Sequence, residues 1–443
     1  MNTAVLKTGN SELRIPPEVL ALLSALQLRN PDTTPLKQLT DEEWTSLLDF
    51  SNRAQLTLPI AQLPMTGFPD WVVEQLRTYL ADNALRFERV KATYREAAGA
   101  LEHAGVEHIV IKGFTQAPDY VASPKLRPQS DIDIFCTSDG IDAAHSALQG
   151  IGYEPSDVEI SYAFADHRVT LVRPGHWQWR GNHFDPEMPL SIEVHFCLWN
   201  EKVSRVRDPG TWLFWERRTR REVEGLSFAC LSPVDQLAHF TLHILRNILA
   251  REWIIHHVRE LAVFLHTHAN DEHFWETWKA THPPLLRSYG AIAFYYAHAW
   301  FGCMMHPVAA CEIDILPAMQ KSWLHRFSGS ALELMFHRNR DCVWLHLSLL
   351  SSPKEKWKLL KRTFIPTSVG PIGFVPIQVR YKRLVEPRGS RPWQRYLNYM
   401  VDRVADYSRS TFITLERGLR WRLSDVTLPQ ISGQARVKQI EAE

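Results

Sequence analysis

Between about residue 105 and residue 230 the apolar residues of this chain change period, and that change limits the fold more than any other feature of the sequence. Before it, PPEVLALLSALQL and PDWVVEQLRTYLADNALRFERVKATYREAAGALEHAG repeat apolar residues every three or four positions, as one face of a helix requires. Within it, HIVIKG, SDIDIFC, HRVTLVR and SIEVHFCL are short β-branched or alternating runs, and IDAAHSALQGIGY intervenes as a short amphipathic helix closed by glycine. After it the helical spacing returns at LSPVDQLAHFTLHILRNIL, where Ser232 stands at an N-cap position, Pro233 at the first helical position and Asp235 three residues past the cap. The expected fold is therefore α+β, an α/β-type core with a small mixed sheet flanked by helical regions. The expected boundaries are a helical N-terminal region over 1–100, a catalytic domain over 101–230 and a helical domain over 231–363. Residues 364–443 would hold the Pro/Gly-rich break FIPTSVGPIGFVPIQ, a last basic helix and a loose tail.

With 443 residues, 45% apolar and 22% charged, the chain has the composition of a folded globular protein with more than one core. Its formal net charge of +1 offers no global attraction to nucleic acid or anionic membrane, so such a partner would need a local patch. The six cysteines stand singly, without a CxxC pair, which argues against a zinc site and fits reduced thiols in a cytoplasmic protein. Neither a signal peptide nor a membrane span is apparent, so no membrane partner is expected.

The chemistry concentrates in IVIKGFTQAPDYVASPKLRPQSDIDIF, residues 109–135. Strand side chains alternate, so Asp131 and Asp133 share one face while Ile132 and Ile134 share the other. Two carboxylates so placed repel unless neutralised, and a divalent cation with a preference for hard oxygen ligands, magnesium above all, is suited to that task. Ahead of them the strand IVI ends at Lys112-Gly113, where a glycine turn lets backbone N–H groups approach a phosphate and the lysine adds a full charge. A third carboxylate, Glu193, stands in the alternating run SIEVHFCL, and on a neighbouring strand it would complete a three-carboxylate cluster able to hold two metals. His195 shares the face of Glu193, equally as a support to the ligands or as a structural histidine.

KG, then Arg127 and SDIDIF, then IEVHFCLW, then LSPVDQLAHFTLH resemble an uncharacterised nucleotidyltransferase family of the polymerase-β-like superfamily, over about residues 85 to 420. The resemblance implies Mg²⁺-dependent transfer of a nucleoside monophosphate from an NTP to an acceptor hydroxyl, with release of pyrophosphate. It assigns Asp131, Asp133 and Glu193 to the metals, with Glu193 also as general base. Lys112, Gly113 and Ser130 would handle the triphosphate, and Arg127 would balance charge beside it. Relatives carry an aspartate where this chain has Glu260, which leaves that position outside the expected site.

His239 and His243, one turn apart on a helix, lack an HExxH pattern and read as packing residues. The loop RPGHWQWRGNHFDP, residues 173–186, has a composition suited to stacking and anion contact, and equally to a hairpin with inward tryptophans. Residues 353–422 hold about 16 Lys/Arg against about 5 Asp/Glu, interleaved with Trp357, Tyr381, Trp393, Tyr396 and Trp421. That footprint keeps open RNA as a partner, and with it the alternative of an RNA- or tRNA-directed, toxin-like transferase. A degenerate, non-catalytic nucleotide-binding protein is the other alternative. The acceptor, whether small molecule, peptide, protein or RNA, is not encoded in any motif.

Overall fold

The computed structural model describes residues 14–156, 166–365 and 392–423. Four helices come first, α1 (Pro17–Ala25), α2 (Asp41–Arg53), α3 (Thr57–Ala61) and α4 (Asp70–His103). The start of α2 is written in TDEE: the Thr40 hydroxyl accepts from the Glu43 backbone N–H at 3.3 Å, and the Glu43 carboxylate accepts from the Thr40 N–H at 2.8 Å. Next come β1 (Ile109–Ile111), β2 (Asp131–Phe135), α5 (Ile141–Gly150), β3 (Glu154–Pro155), β4 (Leu171–Val172), β5 (Ser191–His195), the single turn α6 (Glu201–Ser204), β6 (Thr219–Val223) and β7 (Leu226–Cys230).

The strands form a seven-stranded mixed sheet in the order β3-β4-β5-β2-β1-β7-β6. β2 lies in the middle, antiparallel to β1 and parallel to β5, with Asp133 opposite Glu193 and Asp131 opposite Ser191. This is the expected α+β class. Two details depart from expectation. HRVTLVR contributes only the two residues of β4 plus an isolated bridge from His167 to His195, because the run gives way to the exposed loop that follows it. The β6–β7 hairpin was not anticipated, although its two-residue turn, Glu224-Gly225, takes positive φ at both positions (49° and 74°) as a tight primed turn requires.

The helical remainder runs α7 (Pro233–Ala250), α8 (Ile255–Thr267), α9 (Glu272–Thr281), α10 (Pro284–Phe301), α11 (Pro307–Asp314), α12 (Ala318–Phe327), α13 (Ser330–Glu333), α14 (Cys342–Leu349), α15 (Pro353–Phe364) and α16 (Pro392–Leu423). The Ser232 hydroxyl caps α7 by accepting from the Asp235 N–H. Most of the Pro/Gly-rich break and the C-terminal tail lie outside the described residues.

Two cores result. Val110, Ile132, Ile134, Ile192 and Val194 point to one side of the sheet and pack with Ile141, Ala144 and Leu148 of α5 and Phe87 to Leu101 of α4. Ile109, Ile111 and Phe135 point to the other side and join a larger core that unites α1–α3 and the start of α4 with α7–α15. Period-two alternation therefore places the carboxylate face of β2 and β5 toward α7.

Candidate metal and nucleotide site

Asp133 is 4% exposed and forms the centre of the site. Its Oδ1 accepts from Lys112 Nζ at 2.8 Å and from His195 Nε2 at 2.7 Å. Burial alone would raise its pKa, but the Lys112 charge and the His195 hydrogen bond outweigh it and hold Asp133 well below the usual carboxylate range. Lys112 remains charged by the same bond: burial opposes the ammonium, and Asp133 more than compensates. Asp131 makes no such hydrogen bond among the described residues. Burial, with repulsion from Asp133 and Glu193, pushes its carboxyl up to about 7.

Glu193 lies beside this pair. Its Oε2 is 3.8 Å from His195 Nε2 and 3.7 Å from His167 Nε2, and its Oε1 accepts from the Thr170 hydroxyl at 3.2 Å. Ligand atoms of Asp133, Glu193 and His195 all lie within 4.8 Å of one another, a group able to hold a metal ion. His195, left undecided between two roles by its sequence, is thus bonded directly to a central carboxylate.

The turn after β1 is strained. Lys112 has φ 57° and ψ −159°, followed by Gly113 at φ 55°. A β-carbon on Gly113 would stand 2.4 Å from Gln129 Nε2, and Gln129 Nε2 in turn donates to the Asp131 carbonyl at 2.7 Å. The glycine is thus required by contact with the segment leading into β2, whatever else it approaches. That segment is held from α4: Asn83 donates to the carbonyls of Lys125 and Arg127 at 2.7 and 3.3 Å, and buried Arg86 donates to the carbonyls of Gln129, Asp185 and Met188. Arg127 Nε donates to Glu260 Oε1 of α8 at 2.8 Å, so Glu260, held out of the site on sequence grounds, reaches it through this arginine. Ser130 is exposed at the start of β2, and its carbonyl accepts from Ser191 N–H at 3.2 Å.

The remaining sequence features resolve individually. His239 is buried on α7, where burial and the nearby Lys112 charge lower its pKa to about 3. His243 packs against His257 with ring centroids 4.6 Å apart. In the 173–186 loop, Trp179 is half exposed and Trp177 donates to Asp185 Oδ2 at 2.8 Å. Of the aromatics interleaved in the basic region, Trp357 is exposed, but Trp421 is buried and donates to the Ser322 hydroxyl at 2.8 Å. Trp421 therefore belongs to the core and not to a stacking surface; Tyr381 lies outside the described residues. No helix among the described residues is long and apolar enough to cross a membrane. The family model described as "Uncharacterised nucleotidyltransferase" matches residues 40–302, more than half of the chain. No curated protein and no solved structure matches it.

Proposed function

This chain belongs to the uncharacterised nucleotidyltransferase family, and from that premise we propose that it moves a nucleoside monophosphate from an NTP to an acceptor hydroxyl with release of pyrophosphate. The observation that carries the reading is the convergence of Asp133, Glu193 and His195 within 4.8 Å on adjacent parallel strands, with Asp131 on the same face driven up to about 7 by burial and by its charged neighbours. A carboxylate so destabilised in a site of this charge is one that a divalent cation would relieve.

The oxygens of Asp133 and Glu193, which converge with His195, and of Asp131 on the same face of β2 would hold magnesium, with His195 orienting Asp133 through its hydrogen bond. Ions bound there would supply activation of the acceptor hydroxyl and charge neutralisation of the leaving pyrophosphate. The protein's own groups do the rest. Glu193, oriented by Thr170 and flanked by His167, takes the acceptor proton. The acceptor oxygen bonds to the α-phosphorus, the bond to the β-phosphate oxygen breaks, and pyrophosphate departs. Lys112 and Gly113 meet the triphosphate at the end of β1, and Ser130 approaches it from the exposed start of β2. Arg127, fixed by Glu260, balances charge at that entrance.

The decisive test is incubation with each α-labelled nucleoside triphosphate and magnesium, followed by a search for label in protein, RNA and small-molecule fractions. Label in one fraction identifies the acceptor class. If no triphosphate binds and no fraction is labelled, the reading falls.

A further inference from the structure

Beside the carboxylates, between the end of β5 and α7, lies a pocket whose walls include Lys112, Asp166, His195, Trp199, His239 and Arg246. Two of its polar groups also serve the metal-binding group next door: His195 belongs to that group, and Lys112 donates to Asp133. Lys112 and Arg246 bring two positive charges, each already paired, Lys112 with Asp133 and Arg246 Nη1 with Asp166, which is the only carboxylate in the wall among the described residues. His239 is 7% exposed and makes no hydrogen bond among the described residues. Held neutral by burial, its ring offers an N–H donor without adding a third charge. Trp199, Leu198 and Leu242, with Cys197 and His243, line the remainder, and a largely apolar wall strengthens hydrogen bonds made inside it.

We infer that this pocket is an anion seat in which Arg246 and His239 of α7, together with Lys112, hold the terminal phosphates of the nucleotide and then the departing pyrophosphate. The inference rests on the proposed nucleotidyl transfer and adds to it the residues by which the helical region grips the substrate. Guanidinium groups form short, paired bonds to phosphate oxygens, and Asp166 occupies the place that such oxygens would take on Arg246. As it stands the pocket, about 10 Å³, has room for little more than a water, so a polyphosphate takes its place there by displacing Asp166 from Arg246, and it brings an acceptor to the unbonded His239.

The probes are an NTP, inorganic pyrophosphate and the matching nucleoside monophosphate, titrated by calorimetry with magnesium into the parent, Arg246→Met, His239→Phe and Asp166→Asn. Arg246→Met is expected to weaken NTP and pyrophosphate by at least about tenfold, the loss of a hydrogen bond between charged groups, with monophosphate affinity within about twofold of the parent. His239→Phe weakens the same two ligands by about threefold or more. Asp166→Asn decides between an anion seat and a merely structural ion pair: it frees the guanidinium, so pyrophosphate affinity holds or rises. If Arg246→Met and Asp166→Asn lose affinity alike, or if Arg246→Met binds pyrophosphate as the parent does, the inference is overturned while nucleotidyl transfer stands. If the parent itself binds no NTP, the proposed function fails first, so the two failures are distinct.

Discussion

Asp131 and Asp133 stand two residues apart on one strand, yet their surroundings drive their acidities in opposite directions. Their asparagine variants should therefore part company in stability while agreeing in function. Each should lose transfer by at least about a hundredfold, since an amide is a poor ligand for magnesium. Without metal, Asp131→Asn removes a repelled carboxylate, so its Tm should hold or rise. Asp133→Asn leaves the Lys112 ammonium, with only 16% of its side chain exposed, without its anion and should cost about 3 kcal/mol. Thermal melts in chelator separate the two. Equal Tm changes would mean that the Lys112–Asp133 bond has no energetic weight. A second prediction concerns Gly113. Gly113→Ala forces a methyl against Gln129 in a left-handed backbone and should destabilise by about 2 kcal/mol. Adding Gln129→Ala should recover the clash part of that loss; no recovery in urea melts would place the whole cost in the backbone.

Among the elements, the strands β1, β2 and β5 and the start of α7 were legible because each writes its pattern locally: IVI before a glycine, DID alternation, IEVH alternation, and Ser-Pro ahead of a periodic run. What joins them was not. Nothing in RPQSD says that Arg127 reaches Glu260 some 133 residues away, or that Arg86 of α4 ties three carbonyls of two separate loops. Such contacts depend on where helices cross, which periodicity alone leaves open. The β6–β7 hairpin was missed for another reason, since its Glu-Gly turn departs from the usual Asn-Gly and Asp-Gly signals. One such crossing gives a pH prediction. His268, just past α8, lies 3.4 Å from Asp119 and 3.2 Å from Asp271, and Asp119 also meets Arg221 at 3.2 Å. The Asp119 carboxylate beside it raises the His268 pKa, so its contribution is complete below about 6.5 and is lost as pH rises through the raised value. Burial works to raise Asp119, but His268 and Arg221 prevail and lower it, so its contribution is complete above about 3.8 and is lost as pH falls. The stability gap between the parent and His268→Gln should therefore be widest between about pH 4 and pH 6.5 and shrink above that window. A gap independent of pH would show that His268 acts by packing alone.

At the scale of the whole molecule, the N-terminal helices are part of the C-terminal helical core. Phe50 of α2 stacks on Phe336 with ring centroids 5.3 Å apart, and Leu28 N–H donates to the Phe301 carbonyl at 2.9 Å. Phe50→Ala should cost about 3–5 kcal/mol and lower hydrogen-exchange protection in α10 together with α2. Loss confined to α2 would show that the two ends of the chain unfold separately.

The 34-residue α4 belongs to both cores, with Val72 and Leu76 in the one and Phe87 to Leu101 in the other. A single rod of roughly 50 Å thus passes from one core into the other. Two masses threaded on one shaft have no loose joint at that crossing, so what bends one bends the other.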